Sequence, residues 1–182
     1  MGANPDGGKG PTAAGGQGVC ARCRRCCVVA PEDEALVFPL TPGDMARLRA
    51  ALGHGRWLDH GPNTPEFLAM LQRLFPRAGA ALARAFPPGR VHPRLAVGAG
   101  GACFFLGPAG CQLPPELRPA HCRLFPVWGL GQRLVPLEAD CLAVRESRTL
   151  GELLAAVGLD RDQARALYDS LLAAWSLRDE GA

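Results

Sequence analysis

The chain contains 182 residues, of which 48% are apolar, and its 20 basic and 17 acidic residues give a net charge of +3. This length and apolar content suit one globular domain rather than two. The eight cysteines fall well short of the roughly 8–10% that marks a small disulfide scaffold. No stretch reaches the ~18 uninterrupted apolar residues of a membrane span, so the sequence also excludes a transmembrane helix.

The first 18 residues are rich in glycine and contain no large apolar side chain after Met1. Such a segment cannot bury enough surface to offset the entropy of ordering, so we expect residues 1–18 to form a disordered tail. The segment also lacks the basic region and the apolar run of a secretory signal peptide. We therefore expect the protein to be cytoplasmic and not to associate with a membrane.

A dense cysteine motif, C-x2-C-x2-C-C, follows the tail at residues 20–27. Cysteines two residues apart can turn their sulfurs towards one ion across a tight loop, and tetrathiolate zinc sites and iron–sulfur clusters need four such sulfurs. Consecutive side chains usually diverge. We therefore expect Cys26 and Cys27 to point to different sites, or one of the two not to be a ligand.

Three helices are predicted next, after a short extended segment at residues 35–40. Thr41 and Thr64 are each followed by a proline and, within the first turn, by an acidic residue, which is typical of a helix start. The first of these helices should end at Gly53. A third, weaker helix is predicted over residues 78–86, before a Pro-Pro-Gly sequence ends it.

The middle of the chain, from residue 90 to about residue 138, has a different character. Short apolar runs at residues 95–97, 103–106 and 134–137 alternate with glycine and proline. This punctuation predicts irregular loops with at most short strands.

The C-terminal part is predicted to be helical again. Thr149 with Glu152, and Asp160 with Gln163, match the capping-box pattern of a helix N-terminus. Apolar side chains recur at helical spacing after each box, so we expect both helices to bury one face in the core.

All eight cysteines are candidate metal ligands, and they fall into two groups of four along the chain. The groups are Cys20, Cys23, Cys26 and Cys27, followed by Cys103, Cys111, Cys122 and Cys141. Disulfides would also suit an even number, but the cytosol keeps thiols reduced, so metal ligation is the preferred interpretation. All-thiolate sites suit zinc and iron alike, including a [4Fe–4S] cluster. A site that takes sulfurs from both groups would staple the two halves of the chain together.

Other short motifs accompany the cysteines in a defined order. They are Phe38-Pro39-Leu40-Thr41-Pro42-Gly43-Asp44, Cys103-Phe104-Phe105-Leu106 and Arg118-Pro119-x-x-Cys122-Arg123-x-Phe125-Pro126. Together with the eight cysteines, these motifs resemble the YkgJ-like cysteine-cluster family, the CxxCxxCC zinc- or iron-chelating domains, over residues 20–141. The resemblance implies metal chelation but defines neither the metal nor the biological role. Flagellin lysine-N-methylases contain a related cluster, but this chain is too short for their additional regions.

Several basic residues lie beside the cysteines and would offset the negative charge of a thiolate-rich centre. They are Arg22, Arg24, Arg25, Arg118 and Arg123. Basic residues are otherwise spread along the chain, and aromatic residues make up only 6% of it, so we do not expect nucleic-acid binding.

The histidines and carboxylates suggest no catalytic constellation. His121 precedes Cys122 and is an alternative ligand, a hydrogen-bond donor to a ligand, or ordinary polar surface. His54, His60 and His92 are placed in loops without a specific role, and no nucleophile accompanies Asp44 or the Asp59-His60 pair.

The sequence therefore predicts a single small domain, mainly α-helical, with an irregular, metal-stapled central region and a few short strands. Residues 1–18 form the tail, residues 19–145 the cysteine-cluster metal-binding domain, and residues 146–182 the C-terminal helices that pack on the same domain. The expected function is chelation of zinc or iron through the eight cysteines. The alternative is an iron–sulfur oxidoreductase or electron-transfer protein, and the sequence identifies no particular protein partner.

Overall fold

The computed structural model describes residues 18–177. The predicted tail therefore lies outside the described residues except for Gly18. Helical residues account for about 49% of the described chain, and short antiparallel strands account for about 17%, within a single small domain.

The described residues contain eight α-helices and four 3-10 helices. The α-helices are α1 (Val19–Cys23), α2 (Pro42–Leu52), α3 (Pro65–Leu74), α4 (Gly79–Ala85), α5 (Ala120–Leu124), α6 (Leu142–Glu146), α7 (Leu150–Ala156) and α8 (Arg161–Ala174). The 3-10 helices are Arg25–Cys27, Pro31–Leu36, Ala99–Gly101 and Pro115–Leu117. Among residues 18–177, no helix combines the length and the apolar character needed to cross a membrane.

Six short strands pair into three antiparallel two-stranded ribbons. They are β1 (Leu58–Pro62), β2 (Val91–Leu95), β3 (Leu106–Gly107), β4 (Gly110–Cys111), β5 (Val127–Leu130) and β6 (Arg133–Pro136). Each strand pairs with the strand that precedes or follows it in this order, so the ribbons are β1–β2, β3–β4 and β5–β6. The expectation of short strands in the middle of the chain is confirmed. The loops of this region connect the strands of the ribbons.

The helix starts that depend on local capping are confirmed. The side chain of Thr41 accepts a hydrogen bond of 2.9 Å from the backbone N–H of Asp44, and the Asp44 carboxylate accepts one of 3.2 Å from the N–H of Thr41. Thr64 caps α3 in the same way, at 3.1 Å from the N–H of Phe67. Helix α2 ends before Gly53, whose φ of +70° favours glycine.

Two local predictions are wrong. The predicted extended segment at residues 35–40 begins too early, because residues 31–36 form a 3-10 helix; a proline at the first position and three acidic residues in the first turn favour a helical turn. The box at Thr149 is only half formed, because the Glu152 carboxylate accepts a hydrogen bond of 2.7 Å from the N–H of Arg148 instead of that of Thr149. The box of Asp160 and Gln163 is complete.

Two hydrophobic clusters form the core. The larger cluster joins aromatic side chains from the α3 segment, β5 and α8 to buried leucines of α7 and α8; its members include Phe67, Phe75, Trp128, Leu153, Leu154, Tyr168 and Leu171. The smaller cluster is centred on Leu40, Leu48, Trp57 and Leu95. Cys141 belongs to the larger cluster, whereas Cys103 and Cys111 pack against the smaller one, so both clusters support the cysteine region.

Candidate metal centre

The first cysteine motif folds as two short helical turns rather than as one tight loop. Cys20 and Cys23 lie on α1, where residues three apart share a face. Arg24 then adopts a left-handed conformation, with φ of +56°, and ends α1. Cys26 and Cys27 lie on the 3-10 helix that follows.

Backbone pairing brings the second cysteine group to the first. The N–H of Cys103 donates a hydrogen bond of 2.8 Å to the carbonyl of Cys27, and the N–H of Val29 donates one of 2.8 Å to the carbonyl of Gly101. Gly101 has a φ of +78°, and a Cβ atom there would lie 1.8 Å from the carbonyl oxygen of Val29. Only glycine permits this approach of the two segments.

The β3–β4 ribbon places Cys111 close to α1. Gly110 has a φ of +101°, and a Cβ atom there would lie 2.9 Å from the Cα of Ala21. The guanidinium of Arg24 donates to the carbonyl of Pro108 in the turn of the ribbon. The ribbon is therefore held against the helix that carries Cys20 and Cys23.

Cys141 approaches α1 from the other side, at the N-terminus of α6. The N–H of Leu142 donates a hydrogen bond to the sulfur of Cys23 at 3.3 Å. Two ion pairs cross the same contact: Arg22 binds Glu146 at 2.8 Å, and Arg25 binds Asp140. Two of the five arginines that were expected to offset thiolate charge thus also make ion pairs with carboxylates.

Cys122 lies on α5, next to an imidazole. Nε2 of His121 is 3.2 Å from the sulfur of Cys122, and the His121 ring packs on Phe38 with 4.6 Å between ring centroids. Burial lowers the pKa of His121 to about 4, although the Asp44 carboxylate acts in the opposite direction. The imidazole is therefore neutral near pH 7 and suits either role that the sequence suggested for it.

Four thiols influence one another electrostatically and form what we call the Cys103 set: Cys27, Cys103, Cys111 and Cys122. Burial raises the pKa of Cys103 to about 11, and the thiolates of Cys27 and Cys111 act in the same direction. Desolvation of the sulfur, together with the three other thiols of the set, raises the pKa of Cys122 well above its usual value, although the residue as a whole is exposed.

Three further thiols form the Cys141 set: Cys20, Cys23 and Cys141. Burial raises the pKa of Cys20, with an added effect of the Cys141 thiolate. Burial acts in the same sense on Cys23, but N–H donors from Leu142 and Arg25, together with a hydrogen bond from Cys141, lower the pKa of Cys23 overall. Hydrogen bonds to a sulfur favour its thiolate form.

Cys26, which belongs to neither set, interacts with thiols of both. Cys26 and Cys27 share a hydrogen bond between their thiols, which raises the pKa of Cys26 and lowers that of Cys27 to about 7. Cys26 also responds to the thiolates of Cys122 and Cys20. The two thiols thus contact each other in this structure.

Arg118 acts on both sets. Its Nε donates a hydrogen bond of 3.0 Å to the carbonyl of Leu113. Its charge contributes to the lowered pKa of Cys27 and opposes the rise that burial causes in the pKa of Cys20. A single guanidinium therefore favours the thiolate form in each set.

The eight sulfurs do not surround a common point. Within residues 18–177, no three or more Cys, His, Asp or Glu side chains are arranged so as to hold a metal ion. All eight cysteines are free of disulfides, so every sulfur is chemically available as a donor. The donor chemistry suits a thiophilic metal, and metal ligation stays a prediction.

Two buried polar groups outside the cysteine region were not anticipated. His92 was placed in a loop, but it lies on β2, where its Nδ1 is 2.9 Å from Oδ1 of Asn63 and its ring stacks on Phe67 at 3.9 Å. Arg94, on the same strand, binds the carboxylates of Asp59 and Glu34. Both groups hold the β1–β2 ribbon in place, and the sequence contains no local signal for either.

Comparison with known proteins adds no relative. No protein-family model matches the chain, and no match is found among curated proteins or solved structures. The resemblance to the cysteine-cluster family therefore depends on the motifs alone.

Proposed function

We propose that the protein is a metal-binding protein that chelates zinc or iron through its eight cysteines. The observation that carries the proposal is the backbone pairing of Cys27 with Cys103 at 2.8 Å, which joins segments that are far apart in the chain. Pairing of this kind brings one thiol of the first motif among three thiols of the second group. Thiols concentrated in this way and left free of disulfides are the donor set that soft metals require.

The proposal divides the eight thiols into two sites. The Cys103 set already contains four thiols, which is the number that a tetrathiolate site needs. Cys26 interacts with thiols of both sets, Cys122 and Cys20, and we assign it to the Cys141 set because Cys27 already belongs to the Cys103 set. The adjacent cysteines would then serve different sites, one on each side of the 3-10 helix.

Closing each site requires the sulfurs to turn inward. A cysteine side chain has one rotatable bond to its sulfur, and its three staggered rotamers place that sulfur at different points. A bound ion would select the inward rotamers and would separate the Cys26 and Cys27 thiols. Structural zinc sites contribute about 10–16 kcal/mol in small peptides, which exceeds the cost of such rearrangements.

The test is metal analysis of protein purified without oxygen. We expect stoichiometric zinc or iron by inductively coupled plasma mass spectrometry, and a reduced metal content in the Cys103→Ser and Cys23→Ser variants. Ala109→Ser is the matched control, because it adds a hydroxyl at an exposed position of the β3–β4 turn without removing a sulfur. Protein that is folded, fully reduced and free of metal would contradict the proposal.

A second candidate is an iron–sulfur electron-transfer protein. It is favoured by the N–H groups of Leu142 and Arg25 that donate to the sulfur of Cys23, because hydrogen bonds to sulfur tune the potential of a cluster. Such a protein would be brown, would bleach with dithionite and would release acid-labile sulfide. A colourless protein with zinc and no labile sulfide would exclude this candidate and leave the first one standing.

A further inference from the structure

A polar cleft lies on the face formed by the β5–β6 ribbon and the start of α8. Its volume is about 450 Å³, and it is lined by Gln132, Arg133, Leu134, Leu150, Arg161, Asp162 and Arg165. This volume lies within the roughly 300–1,000 Å³ that is usual for small-molecule sites. Three of the seven lining residues are arginines, against one carboxylate, so the cleft has a net positive charge.

Arg165 is fixed in this cleft with part of its donor capacity unused. Its Nη1 donates a hydrogen bond of 3.0 Å to the carbonyl of Gly131 at the ribbon turn and forms a long ion pair, at 3.9 Å, with Oδ1 of Asp169. Its guanidinium lies 5.8 Å from the centre of the Tyr168 ring. Its Nη2 is buried and has no hydrogen-bond partner among the described residues. Because Nη2 is inaccessible to solvent, an anion in the cleft would interact with the charge of the guanidinium and with its accessible N–H groups rather than with Nη2.

The other two arginines of the cleft are accessible to solvent. Arg161 and Arg133 are exposed and make no ion pair with any residue from 18 to 177. Arg161 occupies the first position of α8, where the helix dipole disfavours a positive charge, and Arg165 lies one turn later on the same face. Repulsion between two such groups is relieved when an anion binds between them.

We propose that this cleft binds the phosphate group of a small molecule, with Arg133, Arg161 and Arg165 as the donors. A guanidinium presents paired N–H groups that match two oxygens of a phosphate. The N-terminal amides of α8 are already capped by Asp160, so the arginine side chains provide the binding. The site is separate from the cysteines and does not depend on the metal proposal.

The test is calorimetric titration of the full chain at constant ionic strength, with inorganic phosphate and with glycerol 3-phosphate as the two probes. We expect Arg161→Gln and Arg133→Gln each to weaken binding about tenfold, the effect of losing one charge-assisted hydrogen bond. Arg84→Gln is the matched control, because Arg84 is an exposed helical arginine far from the cleft in sequence. Both tested arginines are exposed, so the variants should fold.

Binding of both probes with similar affinity would support recognition of the phosphate itself, and tighter binding of glycerol 3-phosphate would support an organic phosphate as the ligand. Absence of binding at millimolar concentrations would overturn the proposal. Equal weakening by Arg84→Gln would overturn it as well, because it would show a response to total charge rather than to this cleft.

Discussion

Arg118 links the chemistry of the two cysteine sets through its charge. The guanidinium opposes the rise in the pKa of Cys20 and contributes to the lowered pKa of Cys27, and thiols must lose their protons to bind metal. We therefore expect Arg118→Gln to raise the pKa of both thiols and to move metal binding to higher pH. The measurement is the pH dependence of thiol alkylation in the apoprotein, followed by zinc competition with a chromogenic chelator.

Arg118→Lys separates charge from hydrogen bonding. It keeps the positive charge but replaces the planar guanidinium that contacts the Leu113 carbonyl. We expect its alkylation profile to stay close to that of the original protein. If the two substitutions shifted the profile equally, the effect would come from loss of local structure rather than from charge.

Metal binding to the Cys103 set should release protons. Burial raises the pKa of Cys103 to about 11 and that of Cys122 well above its usual value, so both are neutral thiols near pH 7. A metal ion that binds there must displace their protons, and its affinity should therefore fall as pH falls. Calorimetry in buffers of different ionisation enthalpy should report the release of more than one proton per ion. Enthalpies that are independent of the buffer would contradict it.

Gly101 determines whether the two cysteine groups can meet. An alanine Cβ would lie 1.8 Å from the Val29 carbonyl oxygen and would also have to adopt a φ of +78°. We expect Gly101→Ala to lower the free energy of unfolding by at least about 2 kcal/mol and to reduce metal content. Gly100→Ala is the control, since its φ is +75° but nothing lies within 4 Å; it should cost about 1 kcal/mol. Equal losses in urea denaturation would show that the contact with Val29 is unimportant.

At the scale of elements, one carboxylate joins two helix N-termini. Asp44 is buried, accepts hydrogen bonds from the N–H of Thr41 at the start of α2 and of Ala120 at the start of α5, and binds Arg47 at 2.6 Å. Helix α5 carries Cys122. The position of this thiol therefore depends on a residue that is distant in sequence.

Asp44→Asn should lower the free energy of unfolding by roughly 2–4 kcal/mol. The amide nitrogen faces donors that need an acceptor, and Arg47 loses its charged partner. Asp162→Asn, in the exposed first turn of α8, should change stability by less than about 0.5 kcal/mol. Chemical denaturation monitored by tryptophan fluorescence measures both values. A change below about 1 kcal/mol for Asp44→Asn would show that solvent can replace its hydrogen bonds.

Local chemistry explains which elements the sequence predicted. Helices α2, α3 and α8 begin at capping residues, and those signals act within one turn of the chain. Helices α1, α5 and α6 have five residues each, which is too short to show a hydrophobic period or to be stable alone. They are held by tertiary contacts such as the hydrogen bond from Ala120 to Asp44, and a sequence pattern does not contain that information.

At the scale of the whole molecule, the candidate site also combines features that the sequence predicts with features that only the folded chain shows. Spacing and composition identified the cysteines as candidate ligands, because those signals lie in the sequence itself. The pairing of Cys27 with Cys103 depends on the close approach of Gly101 to Val29, which only the folded chain reveals. The effect of the Arg118 charge on the thiols of both sets likewise depends on the fold. The sequence indicates only that Arg118 lies near Cys122.

The two-cluster core predicts how the molecule should respond to removal of the metal that the proposed function assigns to it. The larger cluster packs α3, α4, α7 and α8 around aromatic side chains, and most of it does not involve cysteine. The cysteine-bearing segments instead depend on the few contacts that α1 makes with the β3–β4 ribbon and with α6. We therefore expect metal removal to loosen the cysteine segments and not the main core.

Hydrogen–deuterium exchange of the reduced protein with and without a strong chelator measures this response. Exchange should increase in residues 19–29, 99–111 and 140–146, where backbone bonds join the cysteine-bearing segments to one another, as between Cys103 and Cys27. It should change little in α3 and α8, whose buried leucines pack on Phe75 and Tyr168. The Cys103→Ser variant should exchange like the chelator-treated protein even without chelator. A uniform increase in exchange over the whole chain would mean that both clusters unfold as one cooperative unit. No increase anywhere would mean that metal binding to the cysteines does not stabilise the fold.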